Sequence, residues 1–507
     1  MMPLLLAIDA GTTSLKAGLF NAQGECLGVE RREYTLETPK VDWAQVNPEV
    51  YWQACVQAVR SLIELDGVKK EAIAALAVSS QGETILAVDE HGKTVYPAIV
   101  WLDNRAGEEA RQLSDLFGEE IYQRSGIPEV IPTWSACKVL WLRNHEPQAF
   151  ARSAKFLLVQ DFLVSRLSGV YATDGSIACT SMFYDIRQHG WWQDVLDVVG
   201  VHVEQLPQLV KPGSVVGQIN AEAAQILGLS QKTLVVSGGM DQAVGAIGSG
   251  NIQPGIISES TGAALAIQAT ILDTSIVEKQ KIPVYVHSVP GKYLVVPVCP
   301  TAGMAFKWLR DQFCQAEMQV AQKNGMDAYD LMTKLAASVP AGSDGLVMLP
   351  HLSGAFSPNI NPLARGSFSG FTLSHTRAHF IRAVMEGVAF LLKQNIDSIA
   401  AAGIAMREII ATGGGARSLL WNQIKADVCG LPVATLKNEE TALAGDAILA
   451  GVASGIFTSI EAGCRQMVDT RQIIQPGNDQ ESYRCAYARY LALDEELSDY
   501  FIKHYTN

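Results

Sequence analysis

Two stretches half a chain apart are built alike. "AIDAGTTSLKAGLF" (7–20) and "GIISESTGAALAIQAT" (255–270) each run strand, turn of small hydroxylated residues, strand. A hairpin that only had to reverse direction would use Asn-Gly or Asp-Gly in a two-residue turn. Gly11, Thr12, Thr13 and Ser14 instead offer backbone N–H groups and hydroxyls, and Lys16 adds a cation, which is what a phosphate group requires. The repetition implies two related halves, each presenting a hairpin turn toward a shared cleft. With 507 residues the chain exceeds the size at which one core keeps growing. A boundary near residue 250 gives domains 1–250 and 251–507.

Composition narrows the class. At 48% hydrophobic and 18% charged residues the chain suits a soluble globular protein. Its most apolar late segment, "TALAGDAILAGVASGIF" (441–457), carries Asp446 and many small residues, and reads as a tightly packed internal helix rather than a membrane span. "MMPLLLAID" has no positive n-region and no cleavage site, so no secretory leader is expected. Nine cysteines, scattered without C-x-x-C pairs, fit reduced thiols and a cytoplasmic location. The net charge of −13 argues against nucleic acid as a partner. It leaves a local phosphate site open, because backbone N–H groups carry no formal charge.

"LLLAIDAG" and "LKAGLFN" read as paired strands, and "GECLGVERREY" extends the meander. "NPEVYWQACVQAVRSLIEL" predicts a helix with Asn47 as cap, Pro48 at its first position, and Val50, Ala54, Val56, Val59, Leu62 and Ile63 recurring at helical period. "IAALAVSSQG" follows as a buried strand ending in polar residues. Antiparallel strands followed by helix and strand indicate an α/β domain with a mixed sheet. In "REIIATGGGARSLLWNQIKADVCG" (407–430) a strand ends in Gly413, Gly414 and Gly415, and a helix starts near Ser418. Glycines at that junction let a ligand approach the backbone and the helix N-terminus. No G-x-G-x-x-G fingerprint occurs in a strand–turn–helix context, which counts against a dinucleotide-dependent dehydrogenase.

Two longer segments extend the picture. "GSFSGFTLSHTRAHFIRAVMEGVAF" (366–390) closely resembles the C-terminal signature of the FGGY family of carbohydrate kinases, and "TWSACKVLWLRNHEP" (133–147), with Lys138, Trp141 and Asn144, echoes its N-terminal signature. Thr133 stands where an aromatic or small residue is more usual. The resemblance covers nearly the whole chain. It implies the two-domain actin-like ATPase (ribonuclease H-like) α/β fold, with ATP and Mg²⁺ as cofactors. It further implies that Asp9 positions the metal through water, and that Gly11, Thr12, Thr13 and Lys16 face the phosphoryl group. Thr261 and Gly262 would form a second phosphate turn, and Gly413, Gly414 and Gly415 would lie against the adenosine.

Phosphoryl transfer needs positioning, charge neutralisation and a proton acceptor for the attacking hydroxyl. Asp241 in "SGGMDQAVGAIGSG" sits where a strand enters a helix; its residue type alone suits a helix cap, and the resemblance implies a general base. A sugar or polyol acceptor needs carboxylates and amides for its hydroxyls and an aromatic wall for its C–H faces. Glu83, Asp103, Asp241 and Gln242 could supply the first, Trp101 and Trp134 the second; Asp103 with Arg105 also fits a surface pair. Glycerol kinases have Arg-Glu, and xylulokinases Met-His, at the position of Gly82-Glu83. Gly82 and Thr133 in place of Arg and Tyr would enlarge the pocket, pointing to a xylulokinase-like enzyme that converts D-xylulose to D-xylulose 5-phosphate. Glycerol, a tetritol, L-xylulose and gluconate remain as acceptors, and an actin-like assembly or chaperone-type ATPase as the reading from another class. The expected partner is a small molecule, with no membrane and with a homodimer left open.

Overall fold

The computed structural model describes residues 2–505. By where its internal contacts concentrate, the chain divides into two compact units. The first holds the residues up to Ile252 together with Thr270–Leu294 and Glu440–Asp469; the second holds Gln253–Ala269, Val295–Glu439 and the chain from Thr470 onward.

The first unit is built on a six-stranded mixed sheet. Its spatial order is Val215–Gln218, Leu234–Met240, Ile73–Ser80, Leu4–Ala10, Ser14–Asn21, Cys26–Glu33. The central three strands, Leu234–Met240, Ile73–Ser80 and Leu4–Ala10, run parallel, and the outer ones are antiparallel. Strand alternation divides the apolar residues between two cores. Leu4, Leu6 and Ile8 join Tyr51, Leu76, Val78 and Phe162 on one face. Leu5 and Ala7 join Ala75, Ala77, Val244, Ile247, Leu443 and Ala447 on the other. The helix Thr441–Ala453 is buried from Leu443 through Gly451, so the segment read as an internal helix lies in the core.

The helix predicted after Asn47 spans Glu49–Ile63, and Asn47 Oδ1 accepts from the Glu49 N–H at 3.1 Å. Of the expected apolar residues, Ala54, Val59 and Leu62 are buried, and the rest of the buried face is shifted. Tyr51, Cys55, Ala58 and Leu62 are buried on an i, i+4, i+7, i+11 stripe, while Val50, Val56 and Ile63 are only half-buried at its margins. Two aromatic residues at 51 and 52 carry more apolar area than the valines and turn the helix toward themselves.

The second unit repeats the central pairing. Ile256–Thr261 pairs antiparallel with Leu265–Ile271 and parallel with Glu408–Thr412, as Leu4–Ala10 does with Ser14–Asn21 and Ile73–Ser80. Val433–Leu436 continues the parallel run and Thr470–Ile474 closes it antiparallel. The kinship suggested by two short turns is thus carried by sheet topology. No helix among the described residues is long and apolar enough to cross a membrane.

Candidate active site

In a parallel sheet, polar groups and ligands gather beyond the carboxyl ends of the strands. In the first unit those ends are aligned by register: Asp9 lies beside Ser79, and Met240, the residue before Asp241, lies beside Ser80. The turn after Asp9 is held from within. Gly11 N–H donates to Ser14 O at 3.0 Å, Tyr34 hydroxyl donates to Gly11 O at 2.5 Å, and Tyr34 N–H to Thr13 O at 2.9 Å. Thr12 Oγ1 accepts the indole N–H of Trp101 at 2.8 Å, so an aromatic ring, 37% exposed, stands at the turn. Lys16, expected to face a phosphoryl group, pairs with Glu440 at 2.5 Å. Burial lifts the Asp9 carboxyl to about 6; Lys16 lowers it, the negative charge of Glu440 raises it, and a bond from Ser79 lowers it.

Asp241 is the first residue of the helix Asp241–Gly248. The approach to it requires glycine: Gly239 has φ +132°, and a Cβ there would lie 2.3 Å from Ser176 Oγ and 2.5 Å from Ser288 Oγ. Asp241 Oδ1 accepts from the N–H of Gln242 at 2.6 Å, rather than from the second or third turn residue as a cap would. Its carboxyl is pushed up to about 8, first by burial, then by the negative charges of Asp9 and Glu83, against the hydrogen bonds from Gln242. Tyr285, which the sequence did not single out, belongs to the same neighbourhood. Burial raises its phenol well above the ordinary value, with further upward contributions from Glu83, Cys179 and Asp241.

Glu83 has φ +55°, a conformation uncommon for a non-glycine residue and one that needs fixing from outside. Its N–H donates to Thr180 Oγ1 at 3.1 Å, and its carbonyl accepts from Ser135 Oγ at 3.0 Å and from Lys138 Nζ at 3.1 Å. Burial pushes the Glu83 carboxyl up and the Lys138 ammonium down. The space beside Gly82 is not left open, as the missing Arg side chain suggested: a Cβ there would meet the Thr180 side chain at 2.8 Å.

Two expected acceptor residues are turned to internal work. Asp103 is 0% exposed; Oδ1 accepts from Arg105 N–H and Nε, and Oδ2 from Ala44 N–H and Arg105 Nη2. The pair is buried, not on the surface, and the guanidinium lies 3.8 Å from the Trp43 ring centroid. Asp103 therefore shapes the loop that carries Trp101 and presents no carboxylate to a sugar. Trp134 is 7% exposed and its indole donates to Glu129 O at 3.0 Å, so it packs as a core aromatic.

In the second unit Gly262 N–H donates to Ala264 O, forming the expected turn. The hydroxyl of Thr261, however, is engaged beneath it: it donates to Glu259 at 2.7 Å and accepts from Lys425 Nζ at 2.9 Å, while Lys425 pairs with Glu259 at 2.6 Å. Glu259 and Lys425 were missed in the sequence. Their only signal is a lysine at i+4 from Trp421 on a helix whose inner face is largely apolar, and nothing local says that its partner lies 166 residues away. The glycine run packs on this turn. Gly413 has φ +72°, and a Cβ on Gly415 would meet Thr261 at 2.7 Å, whereas Gly414 faces open space. Ser418 caps the following helix, Leu419–Cys429, through Trp421 N–H. A groove beside the run is lined by Thr412, Gly413, Ala416, Leu436, Asn438 and Arg471.

Comparison with known proteins agrees with this construction. The profile of the FGGY family of carbohydrate kinases matches with its N-terminal domain at residues 4–248 and with its C-terminal domain at 271–454. A gluconokinase from Bacillus subtilis is 30% identical over 506 residues, covering 99% of this chain and 97% of that one. A xylulose kinase from Staphylococcus epidermidis is 30% identical over 498 residues, covering 97% and 96%. The crystal structure of gluconate kinase from Lactobacillus acidophilus superposes with a TM-score of 0.89 at 25% identity, covering 99% of this chain and 100% of that one. With both family domains matched in order, and two sheets of the actin-like α/β fold beneath them, the chain belongs to the FGGY family of carbohydrate kinases.

Proposed function

We propose that this sugar kinase transfers the γ-phosphoryl group of ATP to the terminal hydroxyl of D-xylulose, with Asp241 as the general base. The observation that carries the reading is Asp241 itself: a carboxyl at a strand end, reached through a glycine bend and raised to about 8. A base poised near the working pH accepts the alcohol's proton as the O–P bond forms. Asp9, Glu83 and Asp241 act on one another electrostatically. A neutral ketose enters that field at no Coulombic cost, whereas a carboxylate acceptor adds another negative group. Glu83 and Gln242 would hold the sugar hydroxyls and Trp101 its C–H face. Thr12 and Thr13 would hold phosphate, with Thr261 and Gly262 contributing their turn, and Gly413 to Gly415 the adenosine.

The donor set suits magnesium. Among the described residues no group of three His, Cys, Asp or Glu side chains could hold an ion. Magnesium in phosphoryl transfer is held by one or two carboxylates, water and the substrate's phosphates, so Asp9 acting through water is sufficient protein provision. When bound, the ion neutralises charge on the phosphates.

Gluconate is the second reading, favoured by Lys138, a buried amine beside Glu83 that an acceptor carboxylate would draw toward its charged form. ADP release with Mg²⁺-ATP against ketopentoses, polyols, glycerol and sugar acids separates the two. D-Xylulose should give the highest kcat/KM. A higher value for gluconate would replace the acceptor and leave Asp241 in its role.

A further inference from the structure

Asp446 is 0% exposed in the helix Thr441–Ala453. Its Oδ2 lies 2.6 Å from Ser79 Oγ, and Ser79 Oγ lies 3.4 Å from Asp9 Oδ1. The other oxygen, Oδ1, is buried without a hydrogen-bond partner and rests against Gly238, where a Cβ would come within 2.2 Å of it. An orphaned buried carboxyl oxygen is costly. The helix would pack without that cost if residue 446 were alanine, as residues 444, 447 and 450 are. The charged groups acting on Asp446 are Asp9 and Asp174, both acidic, and burial holds its carboxyl well above the ordinary range. Ser79 Oγ is thus placed between Asp446 Oδ2 at 2.6 Å, Asp9 Oδ1 at 3.4 Å and Ile8 O at 3.5 Å. A neutral Asp446 carboxyl that donates to Oγ frees the serine's proton for one of the latter two.

We propose that Asp446 is a positioning residue that acts through Ser79 to fix the carboxylate of Asp9, and thereby sets the protein's grip on the magnesium that accompanies the nucleotide. This inference rests on the reading of Asp9 as the magnesium anchor. Outer partners that orient the groups holding a metal change its affinity by about 10- to 100-fold, and Asp9, reaching the ion through water, is oriented in the same way. Asp446 adds to that pattern a partner 437 positions along the chain from the residue it serves, brought in by a helix of the same unit.

The test is calorimetric titration of ADP with and without Mg²⁺, which needs no turnover, on Asp9→Asn, Ser79→Ala, Asp446→Ala, Asp446→Asn and the Ser79→Ala/Asp446→Ala double variant. Asp446→Ala and Ser79→Ala should each weaken binding of ADP with Mg²⁺ by about tenfold. They should leave binding without Mg²⁺ and the acceptor KM unchanged. The double variant should be no worse than either single one, because both act on one chain of contacts. Asp446→Asn, which keeps a hydrogen-bonding group for Ser79, should recover most of the loss. Asp446→Ala should melt no lower than wild type, since it removes an orphaned oxygen. Ser79→Ala gives the same reading independently of how well Asp446→Ala folds. The inference is overturned if Asp9→Asn weakens Mg²⁺-dependent binding while Asp446→Ala and Ser79→Ala do not. If Asp9→Asn also has no effect, the assignment of Asp9 falls, and the inference falls with it.

Discussion

Asp241 shows how residue type and environment divide the work. An aspartate at a helix start is an ordinary cap by type, but this one bonds the adjacent N–H and sits under the negative charge of Asp9 and Glu83. Asp241→Asn keeps the size and removes the basicity. Turnover should fall about a thousandfold, within the range for loss of a general base, while ADP and sugar binding by calorimetry stay within about twofold. Turnover close to wild type would reduce Asp241 to a structural residue. The positions of Asp9, Asp241 and the first turn were legible because strand ends and turn residues announce themselves locally. The pairing of Lys16 was not, since its partner Glu440 is 424 residues away, and a free lysine and a paired one look the same in sequence. Asp103 failed as an acceptor residue for a related reason: nothing in "LDNRA" tells a buried ion pair from an exposed one.

At the level of elements, the small-residue helix Thr441–Ala453 explains its own composition. It crosses the helix Asp241–Gly248 so closely that a Cβ on Gly445 would lie 1.9 Å from Val244 O, and one on Gly248 would lie 1.9 Å from Thr441 O. Gly445→Ala gains helix propensity of about 1 kcal/mol but must push two backbones apart, and overpacking of this kind costs about 1–3 kcal/mol or more. The expected net result is a loss of stability in urea, with a lower kcat because the displaced helix carries Asp241. The glycine run at 413–415 gives the contrasting case. A Cβ on Gly414 meets nothing within 4 Å, so Gly414→Ala should leave the melting temperature unchanged. If adenosine lies on this run, the same change should raise the KM for ATP several-fold; an unchanged KM would move the nucleotide elsewhere. The sequence marked the run as one motif. The structure separates it into two positions set by packing on Ser260 and Thr261 and one, Gly414, that faces open space.

For the whole molecule, topology was legible further than membership. Two short hairpin turns were enough to suggest paired halves, because each turn closes the same strand pairing, antiparallel to one neighbour and parallel to another. The return of Thr270–Leu294 and Glu440–Asp469 to the first unit had no marker, since long-range packing leaves composition unchanged along the chain. One of those returning segments brings Asp446 to the sheet that bears Asp9, and the two acidic groups then join Asp241 among carboxyls raised by burial. A carboxyl whose folded-state value lies above its unfolded value favours the folded state most at low pH. Its contribution is full below about 4, falls as pH rises, and is exhausted above the folded-state value, about 8 for Asp241. The slope cannot exceed about 1.4 kcal/mol per pH unit for one proton. Asparagine does not ionise, so the stability of Asp241→Asn relative to wild type should be near zero below pH 4, grow through neutrality and level off above about pH 8. Urea unfolding of the two ligand-free proteins across that range measures the difference directly. A flat difference would mean that Asp241 ionises in the folded protein as it does in the unfolded chain, and the poised base would lose its physical basis.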